Sequence, residues 1–196
     1  MQMKKNFLII SLILIIGCII VFNYNKIFSI TDNKKQLEDS IIQSINRPTI
    51  VTDNIDIKQT IDIDNKKFVL FISNNFSGIG DAVLSKGINT KYEMDYTEYG
   101  SNIFQYRMQK TNRNKYFVIF GKNSYDKKID YIKVILDGKE YKIKIPQQEY
   151  FISYSPVPND TQSIFPDGVP KLYDRNDGDI TNEIYGVSPT LPTEPR

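Results

Sequence analysis

Phe68-Val69-Leu70-Phe71-Ile72 is apolar at every position and lies between Asp64-Asn65-Lys66-Lys67 and the polar stretch Ser73-Asn74-Asn75. Five residues are too few for an ordinary helix, and turn-forming residues close both ends. A run of this kind reads as a central β-strand buried on both faces. Tyr116-Phe117-Val118-Ile119-Phe120 repeats the pattern and reads the same way. These two runs set the class: a β protein with a substantial core.

The segments around them alternate. Ile55, Ile57, Ile61 and Ile63 fall on one face of a strand, with Asp56, Lys58, Asp62 and Asp64 opposite. Residues 74–80 read as a loop and Ala82–Ser85 as a short strand. Tyr92, Met94 and Tyr96 alternate, as do Phe104, Tyr106 and Met108. An odd-numbered loop around Gly100 would set Tyr96 against Phe104, Met94 against Tyr106 and Glu93 against Arg107, so this pair is expected to be a hairpin. The plainest local signal is Ile132–Leu136, Asp137-Gly138 and Lys139–Ile145, a hairpin closed by a type I′ turn. It pairs Val134 with Tyr141 and Ile132 with Ile143, and opposes Lys133 to Lys142. Pro146 ends its second strand, and Tyr150–Tyr154 is the last strong one. Roughly nine short strands with no strand–helix alternation predict an all-β fold, an antiparallel β-sandwich of the immunoglobulin-like kind or a relative of it.

Two helical segments precede the strands. Leu37, Ile41 and Ile45 recur every four residues after Thr31 or Asp32, either of which can cap the helix, and Asn46-Arg47-Pro48 ends it. This helix is a membrane-proximal spacer or lies on the domain. Before it, Phe7–Phe22 carries no charge and follows Lys4-Lys5. Sixteen helical residues span about 24 Å, and extension to Phe28 gives about 33 Å against a hydrocarbon core of about 30 Å. Tyr24 and Phe28 suit the headgroup level, and Lys26 can snorkel. The segment is expected to be a single-pass anchor with its N-terminus in the cytoplasm and residues 29–196 outside. Ile15-Ile16-Gly17-Cys18 resembles a bacterial lipobox, which implies lipidation at Cys18 as the alternative anchor; an inert membrane-facing thiol is the plainer reading. The expected organisation is 1–28 anchor or signal, 29–48 helical spacer, 49–158 β-sandwich and 159–196 proline-rich segment.

Composition narrows the chemistry. Removing Lys4, Lys5 and Lys26 from the 25 basic residues leaves 22 against 23 acidic ones. That balance, without clustering, argues against a nucleic-acid partner. The sequence contains no histidine and one cysteine, so Ser-His or Cys-His activation and His- or Cys-ligated zinc are excluded within this chain. No catalytic residue, metal ligand or cofactor is predicted. Asp174–Asp179 resembles a calcium loop, but placing Gly178 at its sixth position puts Tyr173 and Arg175 where acidic ligands belong, so an Asn-Asp-Gly turn is expected. Ser77-Gly78-Ile79-Gly80-Asp81 lacks the lysine of a phosphate cradle and is read as a loop needing positive φ. Glu93, Asp95 and Glu98 could form a carboxylate pair, though a solvated sheet face has the same look. The thirteen tyrosines could stack on wall carbohydrate, but their alternation favours packing.

Seven of the nine prolines lie between Pro156 and Pro195, so residues 159–170 are expected to be irregular and 187–196 disordered; Leu172-Tyr173 and Ile180-Thr181 suggest one more hairpin. Gly87-Ile-Asn, Asn114-Lys-Tyr-Phe, Phe120-Gly-Lys-Asn123, Leu136-Asp-Gly-Lys, Tyr150-Phe-Ile-Ser-Tyr-Ser-Pro-Val157 and Leu172-Tyr-Asp resemble small membrane-anchored extracytoplasmic proteins of unknown function from low-GC Gram-positive bacteria. The resemblance covers about residues 55–180 and implies a bacterial surface setting with no particular activity. The expected role is a non-enzymatic envelope binding or interaction module with a protein partner; the alternative is an envelope enzyme or wall-carbohydrate binder built on carboxylates and tyrosines.

Overall fold

A computed structural model describes residues 2–46, 54–100, 103–123 and 128–186. Two helices, α1 (Gln2–Ile27) and α2 (Lys34–Ile45), precede four strands: β1 (Ile55–Ile63), β2 (Lys66–Ser73), β3 (Phe76–Lys86) and β4 (Tyr92–Tyr99). Next come β5 (Phe104–Lys110), β6 (Lys115–Lys122), β7 (Tyr131–Leu136), β8 (Lys139–Lys144) and β9 (Tyr150–Val157). The described chain closes with β10 (Lys171–Tyr173) and α3 (Thr181–Tyr185). The strands form three antiparallel sheets, ordered β1-β2-β3-β4, β5-β6-β9 and β10-β7-β8.

The sheets stack as a sandwich extended by one layer. Phe68 and Leu70 of β2 pack with Val118 and Phe120 of β6 between the first two sheets. The other face of β2, Val69 and Phe71, packs under Leu37, Ile41 and Ile45 of α2. The other face of β6, Phe117 and Ile119, packs against Ile132, Val134 and Ile143 of the third sheet. Each continuous apolar run is therefore an inner strand covered on both sides. Fully burying one such side chain is worth about 1.5–3 kcal/mol, which is why the sequence spends its largest residues here.

The β7–β8 hairpin has the expected register, with Val134 opposite Tyr141 and Lys133 opposite Lys142. Asp137 and Gly138 adopt φ 49° and 73°, as a type I′ turn requires. Helix α2 buries the expected stripe; its cap is Asn33, whose side chain accepts from the Gln36 N–H, rather than Thr31 or Asp32. The start of the first expected strand, 49–53, lies outside the described residues.

Three further expectations are corrected. The four isoleucines of β1 do not share a face. The register shifts between Ile57 and Gln59, so Ile55 and Ile57 join the cluster under α2 while Ile61 and Ile63 face the second sheet. One extra residue in a strand reverses the alternation after it. Residues 76–80 are strand rather than loop, and the need for Gly80 is spatial: a Cβ there would stand 2.3 Å from the Phe71 ring. The 92–96 and 104–108 segments do not pair with each other. β4 pairs with β3 and β5 with β6, so the chain crosses from one sheet to the next between them. Their alternating patterns fit either partner, and β6 offers β5 a run buried from Tyr116 to Gly121.

Candidate binding groove and the buried charge beside it

A second register shift lies between Val83 and Leu84, opposite Tyr96 and Met94 of β4. Before it, Tyr92 and Met94 point to α2; after it, Tyr96 and Glu98 lie on the face toward the second sheet. Arg107 of β5 meets them there. Its Nε donates to Asp81 Oδ2 at 2.6 Å and its Nη2 to Asp81 Oδ1 at 3.3 Å; Nη2 also donates to Glu98, which accepts from the Tyr96 hydroxyl as well. The guanidinium carbon lies 3.6 Å from the Tyr96 ring centre. Asp81 and Glu98 are directly opposite across β3 and β4, an unfavourable like-charge pair unless a cation sits between them.

Asp81 is wholly buried. Burial raises its carboxyl pKa to about 6, against the opposing pull of Arg107. Burial alone would lower Arg107, but its bonds to the two carboxylates more than offset this and raise it. Glu98, half-exposed, is held below its ordinary value by the Tyr96 hydroxyl and Arg107. The cluster ties two sheets together, and both of its carboxylates are paired with Arg107. Asp95 is also occupied: Lys66 Nζ donates to it at 2.6 Å, and the Ser85 hydroxyl at 2.8 Å. Glu93, Asp95 and Glu98 thus do not converge.

On its other face β5 carries Phe104, Tyr106 and Met108. Tyr106 stacks on Phe117 and shares a 3.0 Å hydrogen bond with the hydroxyl of Tyr185 on α3; Phe104 meets the Tyr185 ring edge-on at 6.0 Å. Burial raises the Tyr106 phenol, so it stays protonated. Across from these residues runs the segment Phe165–Pro170, and an open groove of about 400 Å³ lies between. Phe165 and Val169, on its rim, are 69% and 71% exposed.

The far wall is held by the β7–β8 turn. The Asp137 carboxylate accepts from the backbone N–H of Gln162 at 2.7 Å and of Ser163 at 2.8 Å, and Asp167 accepts from Gly138 N–H at 2.9 Å. These bonds hold the Asp137 carboxyl below its ordinary value, the Ser163 hydroxyl contributing most. Pro166 and Pro170 restrict the segment further. A stretch expected to be irregular is thus fixed in place with its apolar residues outward. The signal in the sequence was Ile164-Phe165, an apolar pair inside a proline-rich polar tail.

The other expected features fall as follows. Asp174 Oδ1 accepts from the N–H groups of Asn176 and Gly178, both at 2.8 Å, which is a side-chain-closed turn; no three metal-ligating side chains converge among the described residues. The flanking residues form only a bridge, Tyr173 to Asp179, while β10 pairs chiefly with β7. Tyr92, Tyr116 and Tyr131 are buried rather than displayed. Cys18 is exposed midway along α1. The 187–196 tail lies outside the described residues.

Helix α1 is the one described helix long and apolar enough to cross a membrane, over Ile9–Ile27, and no residue of that window is buried. It is not loosely joined. Tyr24 and Phe28 stack at 4.6 Å and pack on Gly87 of the β3–β4 turn. Ile30 and Tyr92 exchange backbone hydrogen bonds of 3.0 and 2.7 Å. Asp32 and Asp62 both pair with the buried Lys67, at 3.2 and 3.0 Å.

Comparison with protein-family models, curated proteins and solved structures finds no match.

Proposed function

We propose that this chain is a membrane-anchored, non-catalytic interaction module of the cell envelope, and that its groove receives an apolar segment of a partner protein. One observation carries the reading: Phe165 and Val169 are held exposed beside an open groove lined by Phe104, Tyr106 and Tyr185. A tail that bonds itself to a hairpin turn gains nothing in its own stability by facing a phenylalanine to water, whereas apolar grooves with a few placed hydroxyls are what protein and small-molecule sites look like. The anchoring half rests on α1, and Lys4 and Lys5 before the apolar run favour an orientation with the N-terminus in the cytoplasm and the β domain outside. An enzyme built on carboxylates is disfavoured because Asp81 and Glu98 share one guanidinium and Asp81 has no access to solvent.

The test is a photo-crosslinking residue placed at Phe165 in the full chain in intact cells, compared with one at Asp39 on the exposed side of α2. A single recurrent protein adduct from position 165, absent from position 39 and lost with Val169→Glu, is the expected result. Identical adducts from both positions, or none from position 165, would sink the groove as the site.

A further inference from the structure

We propose that the tip of the β3–β4 hairpin, Gly87–Thr90, is a second membrane contact, with Ile88 entering the headgroup–acyl boundary of an anionic bilayer beside the end of α1. The proposal rests on reading α1 as a membrane span. Ile88 is 93% exposed, more than any other large apolar side chain described, those of α1 included. It is not on a loose loop. Thr90 adopts φ 63°, Gly87 N–H donates to the Lys91 carbonyl at 2.8 Å, and Lys91 N–H donates to the Asn89 side chain at 3.2 Å. The turn is therefore built to hold an isoleucine outward.

Its position relative to α1 is equally fixed. Ile88 N–H donates to the Tyr24 hydroxyl at 2.6 Å, and the Asn89 side chain donates to Asn25 Oδ1 at 2.9 Å and to the Phe28 carbonyl at 3.0 Å. A Cβ on Gly87 would stand 2.6 Å from that same hydroxyl, so only glycine lets the two approach. Tyr24 lies about 4.5 Å of helix rise before Ile27, the last residue of the apolar span. Ile88 is thereby carried to the level where a spanning α1 leaves the hydrocarbon. Lys86 and Lys91 flank the tip and Lys26 lies on the adjoining helix turn, an arrangement that suits anionic headgroups. The apolar tip between lysines is the composition by which interfacial elements seat in a bilayer surface.

The test uses the full chain with Cys18→Ser, reconstituted into phosphatidylcholine vesicles with about one-quarter phosphatidylglycerol. Single cysteines replacing Ile88, Ile13 or Asn74 carry an environment-sensitive fluorophore, and the vesicles contain lipids with a quencher near the headgroup end of the acyl chain. Asn74 lies at the opposite end of β3, about 33 Å from the tip. The expected result is blue-shifted emission at position 88 and quenching at least about twofold above that at position 74, reduced by Lys86→Glu with Lys91→Glu. If position 88 is as wet as position 74 while position 13 is dry, the hairpin contact is overturned and the spanning helix stands. If position 13 is also wet, the spanning reading fails and the hairpin contact with it.

Discussion

The two faces of β5 solve the same problem in opposite ways. One face points Arg107 into the first sheet, where two carboxylates and a tyrosine ring close around it. The other points Phe104 and Tyr106 into an aromatic cluster whose outer margin is left open as a groove. The charged seam is sealed although burial works against it; the apolar seam, which burial would favour closing, is held apart by a segment tied to a hairpin turn. A contact that stabilises a fold is expected to be closed. An apolar margin kept open by dedicated hydrogen bonds is where binding is expected.

The largest effect is expected at Arg107. Arg107→Ala leaves Asp81 buried without its cation and should cost about 3–5 kcal/mol in denaturant unfolding of the full chain in detergent. The loss should shrink as pH falls from 8 towards 5, because a protonated Asp81 tolerates burial; a loss that is constant with pH would show that the charge is not the cause. Next in size, Gly121→Ala places a Cβ 2.4 Å from the Phe151 ring, next to Phe104. It should destabilise by about 1–3 kcal/mol, and Phe151→Leu should recover part of that, as a double-mutant cycle would detect.

The third effect is the pH dependence of the unmutated chain. The Asp81 pKa is raised from 3.8 to about 6 on folding, so the folded state holds this proton more tightly than the unfolded one. Its contribution is complete below 3.8 and is lost as pH rises through about 6. Glu98 has a lowered pKa and acts with the opposite sign at lower pH, so the difference between the native chain and Asp81→Asn isolates the Asp81 share. The melting temperature of the native chain should fall relative to that of Asp81→Asn between pH 4 and 6.5. The smallest expected change in stability is at the groove: Phe165→Ser and Val169→Ser should each stay within about 0.5 kcal/mol, yet Val169→Ser should abolish the adduct formed from position 165. Loss of stability of several times that size would place these side chains in the fold rather than in an interface.

What was legible in the sequence were features decided within one segment. The β2 and β6 runs, the Asp137-Gly138 turn and the Leu37-Ile41-Ile45 stripe each carry their own periodicity or turn chemistry. The features that were missed depend on partners. A bulge adds a residue without marking the sequence, and two of them redirect Ile61, Ile63, Tyr96 and Glu98. The second brings Tyr96 and Glu98 to Arg107, whereas Glu93 stood opposite Arg107 only in a hairpin that does not form. The 92–96 and 104–108 segments satisfy a mutual register as well as their real ones, so alternation alone could not choose. The groove joins β5, α3 and a segment some sixty residues beyond β5, and no local pattern spans that distance.

The seating of α1 has a mechanical corollary. Tyr24 and Phe28 are four residues apart, hence on one side of the helix, and only that side fits against Gly87. Advancing the helix by one residue turns it by about 100° and would withdraw both rings. The Ile30–Tyr92 bridge, a few residues further on, ties the junction to the same sheet a second time. On the proposed reading of α1 as a membrane span, a rotation of the helix would turn the stack of sheets with it, as the shaft of a crank rather than as a leash.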